Sequence, residues 1–372
     1  MERADVLILG GGLVGLTLAV ALDRHGLASL VVDPADPESQ LAPRYDGRAT
    51  AVSSSSWRML QAIGVGERIA AEGCPIRAIR VADGLRAGGI LFEAPERDDP
   101  LGMMFENRRL RAALRETALA AERVNLLMPA RPGEVARDGD GVRVALEDGR
   151  LLAAPLLVGA EGRGSPLREA AHIPMAQWRY DHVAIVATIA HERWHENVAY
   201  EIFYPDGPFA ILPMLAGEDE RPRSAIVWSV PRADADATLG LPERALAHEI
   251  AKRMGGFLGE VALAGPRWNY RLGFHHAAQI TDLRLAAHEL EMQMSRSLAA
   301  EYGADVVVLY DTTGRCVYLG AAAARVLGYE RREWMALSAC DLIHPQDREA
   351  FFARLVPEDG NPAAVQAIAR AR

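Results

Sequence analysis

A chain of 372 residues, half of them apolar, is long enough for two domains and a sizeable core, which excludes a disordered class. Its formal net charge of −9 comes from interspersed acids and bases with no basic stripe, so nucleic acid is excluded as a partner. The three cysteines, Cys74, Cys316 and Cys340, lie far apart without a CxxC pair; this fits a reducing, cytoplasmic compartment and argues against a disulfide scaffold or a zinc knuckle.

The first apolar run, VLILGGGLVGLTLAVAL, is cut by glycines, follows an acid and lacks a small-residue cleavage site, so it reads as neither signal peptide nor membrane span. With its flanks it spells strand, glycine turn, helix, strand, ending in SLVVD at Asp33. That is the spacing of a dinucleotide-binding βαβ unit. Gly10 allows the tight turn, Gly12 lets the backbone approach a pyrophosphate, and Gly15 lets helix and strand pack closely. The helix start offers N–H groups to phosphate oxygens, and Asp33 is placed to accept hydrogen bonds from a ribose diol.

Downstream, YDGRATAVS sets Arg48 after a turn and before a Ser-rich helix start. LLVGAEGRGSPLRE sets Gly159, Glu161, Gly162, Ser165 and Arg168 in a strand-to-helix turn. In these two segments the chain resembles the flavin-dependent aromatic hydroxylases, in particular the ubiquinone-biosynthesis branch. The resemblance implies that Arg48 lies near the pyrophosphate of FAD. It also implies that GAEGRGSPLR is a second nucleotide motif, touching FAD and the pyridine nucleotide NAD(P)H through Gly159, Glu161 and Gly162. The family has Asp where this chain has Glu161, and one extra methylene moves the carboxylate by more than about 1 Å.

From His182 onward the pattern alternates as strands do, in HVAIVATIA, VAYEIFYP, FAILPML and SAIVWSVP. This reads as an antiparallel sheet roofing a substrate pocket. AYEIFYPDGPFAILPM resembles the same family's substrate-side stretch, which implies that Pro208 and Pro213 shape the wall beside the flavin; the bland alternative is that both prolines end edge strands. HERWH, from His191 to His195, formally matches the HExxH zinc signature. It lies between strand-like segments without helical period, so a turn is expected and no metal. His275-His276 likewise reads as a strand-end detail.

FHHAAQITD resembles the family's approach to its last flavin motif, a glycine-rich segment that is absent here. After Asp282 the residues Leu283, Ala287, Leu290, Met294 and Leu298 recur at three- and four-residue steps, which predicts an amphipathic helix over 283–300. Beyond it, ADVVVLYDTTGRCVYLG reads as strand, Asp311–Gly314 turn, strand; with LGY and HPQD further on, this resembles the front of a PAS sensor domain. Cys340 reads as a buried structural thiol.

The expected fold class is α/β (α+β overall): a Rossmann-like FAD-binding domain with an inserted antiparallel substrate sheet over 1–282, a helical linker over 283–300, and a partial PAS α+β module over 301–372. The resemblance implies an FAD- and NAD(P)H-dependent monooxygenase hydroxylating a polyprenyl phenol on the way to ubiquinone. It further implies contact with the inner membrane surface and activity impaired by the missing flavin motif, while the predicted linker helix offers a surface for a homodimer. Two other readings stay open: a redox or ligand sensor reporting through the PAS part, and a fusion without activity.

Overall fold

The computed structural model describes residues 1–42, 48–94, 100–282 and 285–287, together with the strands Val308–Tyr310 and Cys316–Leu319. The chain divides into two compact units, Met1–Leu290 and Glu291–Arg372.

The first unit starts from a parallel sheet in the order Leu285–Ala287, Leu156–Gly159, Val6–Leu9, Ser29–Val32, Val124–Leu127, with Thr281–Asp282 antiparallel at one edge. Val6–Leu9 and Ser29–Val32 are buried at every position, the continuous apolar run that a sheet covered on both faces demands. Alternation sorts their side chains. Val6, Ile8 and Val31 face the helix Leu13–Arg24, which packs through Leu16 and Val20 into a core shared with the helix Asn107–Ala120. Leu7, Leu9, Leu30 and Val32 face the four-stranded sheet Glu2–Arg3, Leu151–Ala154, Gly141–Leu146, Pro132–Asp138 through Val144 and Leu152.

The expected inserted sheet is present and has seven strands, ordered Val261–Ala277, Met175–His191, Arg223–Pro231, Gly207–Met214, Val198–Tyr204, Ala78–Asp83, Ile90–Glu93. Its neighbours run antiparallel except Val198–Tyr204 beside Ala78–Asp83. One face, called the back here, packs Ile185, Phe209, Ile226 and Trp228 against Leu246 and Ile250 of the helix Glu243–Arg253. The opposite, front face meets a small sheet, Ala49–Ser53, Gly102–Glu106, Cys74–Ile76, through Ala199, Ala225, Cys74 and Met104.

One expectation is corrected. The helix predicted from Leu283 does not begin there, because Leu285–Ala287 form a strand that pairs in parallel with Leu157–Gly159. A short apolar run fits either period; here the open edge of Leu156–Gly159 takes up its backbone groups, and tertiary pairing overrides the helical spacing. Residues 288–300 lie outside the described residues. In the second unit, Val308–Tyr310 pairs antiparallel with Cys316–Leu319, and the expected Asp311–Gly314 turn lies outside the described residues. The LGY, HPQD and Cys340 features lie outside the described residues.

Candidate functional site

The glycine turn after Val6–Leu9 holds its three glycines for three different reasons. Gly10 has φ +108°, and a Cβ there would lie 2.2 Å from the Ala160 carbonyl oxygen. At Gly15 a Cβ would lie 1.8 Å from the Gly10 carbonyl oxygen, so helix and strand touch backbone to backbone. At Gly12 a Cβ would meet nothing within 4 Å. Gly12 caps the helix Leu13–Arg24 without any side-chain hydrogen bond, and no acid stands in that helix's first turn. By contrast, Asp36 and Ser165 cap the helices they precede with their own oxygens. The first helix thus presents its N–H groups and the positive end of its dipole to open space, which fits the pyrophosphate of a dinucleotide.

Asp33 closes the cradle's rim. Its carboxylate accepts the Gly11 N–H at 2.6 Å and the Ala35 N–H at 2.8 Å, one on each oxygen. Each oxygen keeps a further lone pair for a ribose hydroxyl. Gly11 was not singled out from the sequence; its amide is what fixes the carboxylate.

The second motif sits directly beside the first, since Ala160 donates its N–H to the Leu9 carbonyl at 2.6 Å. Gly159 lies under Leu167, where a Cβ would meet Leu167 Cδ2 at 3.2 Å, and Gly162 has φ +81° with open space around it. The Glu161 carboxylate turns into its own loop: Oε2 accepts the Ser165 hydroxyl at 2.5 Å and the Leu167 N–H at 3.2 Å. The extra methylene lets it reach the start of the helix Pro166–Ala170. Arg168, 7 % exposed, donates from Nη2 to the Arg163 carbonyl.

Arg48 is held at the start of the small sheet, where its carbonyl accepts the Asn107 N–H at 3.0 Å. Its guanidinium lies 5.2 Å from the ring centroid of Tyr270, on an edge strand of the large sheet. Tyr270 pairs with Ala184, a front-face residue, so Arg48 reaches the front of the large sheet. Sequence spacing gave no signal for Tyr270.

Pro208 and Pro213 both lie in Gly207–Met214, an interior strand and not an edge one. Each stands where only one neighbour pairs: Pro208 with Phe203, Pro213 with Ser224. The missing N–H therefore costs no ladder bond. Their odd separation sends them to opposite faces. Pro208 shares the front with Leu212 and Met214, whereas Pro213 shares the back with Phe209 and Ile211. Only Pro208 is on the face that Arg48 reaches.

HERWH is a strand end followed by a turn, as expected. His191 Nδ1 is 2.7 Å from the Arg193 carbonyl and Nε2 is 2.9 Å from Ser224 Oγ. His195 Nδ1 accepts the Asn197 N–H at 3.0 Å, and its Nε2 donates to the Met214 carbonyl at 2.9 Å. All four ring nitrogens are engaged, and burial holds both rings below the ordinary histidine pKa. Glu192 accepts the Glu260 N–H.

A family model described as an FAD binding domain matches residues 3–260, and one described as a PAS fold matches residues 301–361. The chain is 43 % identical over 283 residues to ubiquinone hydroxylase UbiL of Rhodospirillum rubrum, covering 76 % of this chain and 65 % of that protein. It is 31 % identical over 263 residues to 3-demethoxyubiquinol 3-hydroxylase of Escherichia coli, covering 70 % of this chain and 66 % of that one. The chain thus spans about two thirds of the length of these relatives. Among solved structures, PqsL of Pseudomonas aeruginosa, a probable FAD-dependent monooxygenase, superimposes with a TM-score of 0.64 at 22 % identity, over 77 % of this chain and 78 % of that one. The flavin-dependent monooxygenase PieE in complex with FAD and substrate gives 0.59 at 17 % identity, over 77 % of this chain and 52 % of that one. At these identities the superpositions establish the fold. By its sequence match over residues 3–260, this chain belongs to the FAD binding domain family.

Proposed function

We propose that the chain is an FAD-dependent aromatic-ring hydroxylase that uses NAD(P)H and acts on a polyprenyl phenol in ubiquinone biosynthesis. The observation that carries this reading is the uncapped helix start at Gly12, open for a pyrophosphate, beside a carboxylate held ready at Asp33. Bound FAD supplies the redox chemistry, reductive activation of oxygen. The chain's own residues bind, orient and exclude water. Gly12 and the helix behind it take the pyrophosphate, Asp33 takes the ribose, and the 159–162 turn lies against Gly10 at the same edge. Arg48 lies over Tyr270 at the front of the large sheet. There Ala184, Val186, Ala210 and Pro208 offer an apolar floor for a ring.

Contact with a membrane surface is part of this reading, since a polyprenyl tail is carried in lipid. It is supported by the half-exposed aromatics Trp178 and Tyr180 on Met175–His191. Among the described residues no helix is long and apolar enough to cross a membrane.

The test is to supply the full chain with FAD, NADPH and a prenylated phenol, following hydroxylated product beside hydrogen peroxide. Flavin uptake with product that depends on the phenol supports the reading. Because the glycine-rich closing motif is absent, part of the electron flow is expected to end as peroxide. Failure to take up flavin, or NADPH oxidation without any hydroxylated product, overturns it. A second reading, a redox or ligand sensor, draws on the PAS match at 301–361. It predicts flavin uptake without turnover, together with a partner whose affinity changes with flavin redox state.

A further inference from the structure

Along Val198–Tyr204, Tyr200, Ile202 and Tyr204 pack into the back-face core, which sends Ala199, Glu201 and Phe203 to the front. Ala199 joins the apolar cluster under the small sheet, so the half-buried Glu201 stands at the border of that cluster, beside the closely packed front-face residues Ala184, Val186 and Ala210. The register sets it in a lateral row: Glu201 opposite Ala210 and Val81, Ala210 opposite Val227, Val227 opposite Val186, and Val186 opposite Trp268. Glu201 is the one ionisable member of that row. The charged front-face group next along the neighbouring strand is Asp83, whose carboxylate is tied to Arg86 at 2.7 Å on the exposed surface. The other flanking front positions, Ile79, Phe203, Pro208 and Leu212, are apolar or half-buried. Among the described residues no donor reaches the Glu201 carboxylate.

We infer that Glu201 accepts the hydroxyl hydrogen of a phenol laid on the front face of the large sheet, and so acts as the base that ionises it. The inference deepens the proposed function and rests on it. A carboxylate amid apolar side chains calls for a ligand with an apolar body and a single neutral O–H donor; an anionic ligand would be repelled and a polar one poorly desolvated. Burial alone pushes this carboxyl from the usual carboxylate range up to about 7, so it exchanges protons in the neutral range. In the transfer the phenolic O–H bond breaks, the proton passes to a Glu201 oxygen, and the electron pair stays on the ring oxygen. That enriches the ring carbons ortho and para to it, where electrophilic hydroxylation takes place. The side chain is not fully buried, so the proton can later leave to water.

The test uses the FAD-reconstituted full chain, a monoprenylated phenol and its methyl ether, which lacks the donor. Dissociation constants are measured for each from pH 5.5 to pH 8.5. With Glu201 ionised the phenol is expected to bind roughly ten- to a hundredfold tighter than the ether, the worth of one hydrogen bond to a charged acceptor. This preference should fade as pH falls through about 7. Glu201→Gln should leave ether binding in place and reduce the preference to a small, pH-independent one. A wild-type protein that binds both ligands equally at pH 8.5, or a Glu201→Gln variant that keeps the full pH-dependent preference, overturns the inference while leaving the front face as a binding site. If neither ligand binds, the reading of the front face fails and takes the inference with it. Should Glu201→Gln not fold, the phenol-to-ether comparison across pH in the wild type decides alone.

Discussion

Replacing Gly12 and Gly15 by alanine separates cofactor binding from folding, because the same added methyl meets opposite surroundings. At Gly15 the Cβ would lie 1.8 Å from the Gly10 carbonyl oxygen, where ordinary contact begins near 3.4 Å. The obstacle is backbone, so the helix must move by more than 1 Å. That puts Gly15→Ala at the upper end of overpacking costs, about 3 kcal/mol. The midpoint of thermal unfolding should then fall by about 5 °C. At Gly12 the backbone is extended, φ −77° and ψ −169°, which any residue adopts, and the Cβ meets nothing within 4 Å. Gly12→Ala should therefore change stability by no more than about 0.5 kcal/mol. The methyl would nevertheless stand between the helix amides and a phosphate. Loss of one hydrogen bond to a charged group costs about 1.5–3 kcal/mol, or roughly ten- to a hundredfold in flavin affinity. Thermal melts of the flavin-free proteins and quenching of flavin fluorescence on titration measure the two effects. If Gly12→Ala binds flavin as the wild type does, or melts as low as Gly15→Ala, the assignment of these glycines is wrong.

Further outcomes follow from the polar groups. Asp33→Ala should weaken flavin binding and also lower stability by about 1–3 kcal/mol, because the Gly11 and Ala35 amides lose their acceptor; denaturant melts without flavin isolate the second effect. Glu201 carries a raised folded pKa of about 7, so it costs stability as pH rises from the unfolded value towards 7; Glu201→Gln should gain up to about 3 kcal/mol at pH 8 and nothing near pH 4, read from denaturation midpoints at both. His191 and His195 have lowered folded pKa values, so their contribution is present above the unfolded value of about 6.5 and is lost as pH falls below it. In the Glu201→Gln background stability should then rise steadily from pH 5 to pH 7. His191→Ala should destabilise by roughly 2 kcal/mol through the stranded Ser224 hydroxyl, with metal analysis unchanged; loss of one equivalent of zinc would refute the turn reading.

What the sequence revealed depended on how local the determinant was. The cradle was legible because Gly10, Gly12, Gly15 and Asp33 act within one βαβ unit, where spacing is geometry. The large sheet was legible because its alternating strands keep one face under helices. Leu285–Ala287 was not, since only the open edge of Leu156–Gly159, far away in the chain, decides between strand and helix. The same holds for Arg48, whose partner Tyr270 is brought to it by sheet order, and for the two prolines, whose opposite facing needs the register. Glu161 shows the converse: its departure from Asp was visible, but its use as a cap for Ser165 and Leu167 needed the loop's path.

The contact between Gly10 and Ala160 sets how wide the cofactor slot is. Two loops that meet through side chains can widen or narrow by changing rotamers, but these meet through backbone, and the strands behind them are locked in register from Val6 opposite Leu156 to Leu9 opposite Gly159. The gap is therefore built during folding rather than drawn together by the ligand, so little binding energy goes into ordering the loops. It also means that energies at the two turns cannot be additive: a methyl at Gly10 that pushes Ala160 away has already spoiled the position of Gly162, and a second change there should add less than it does alone.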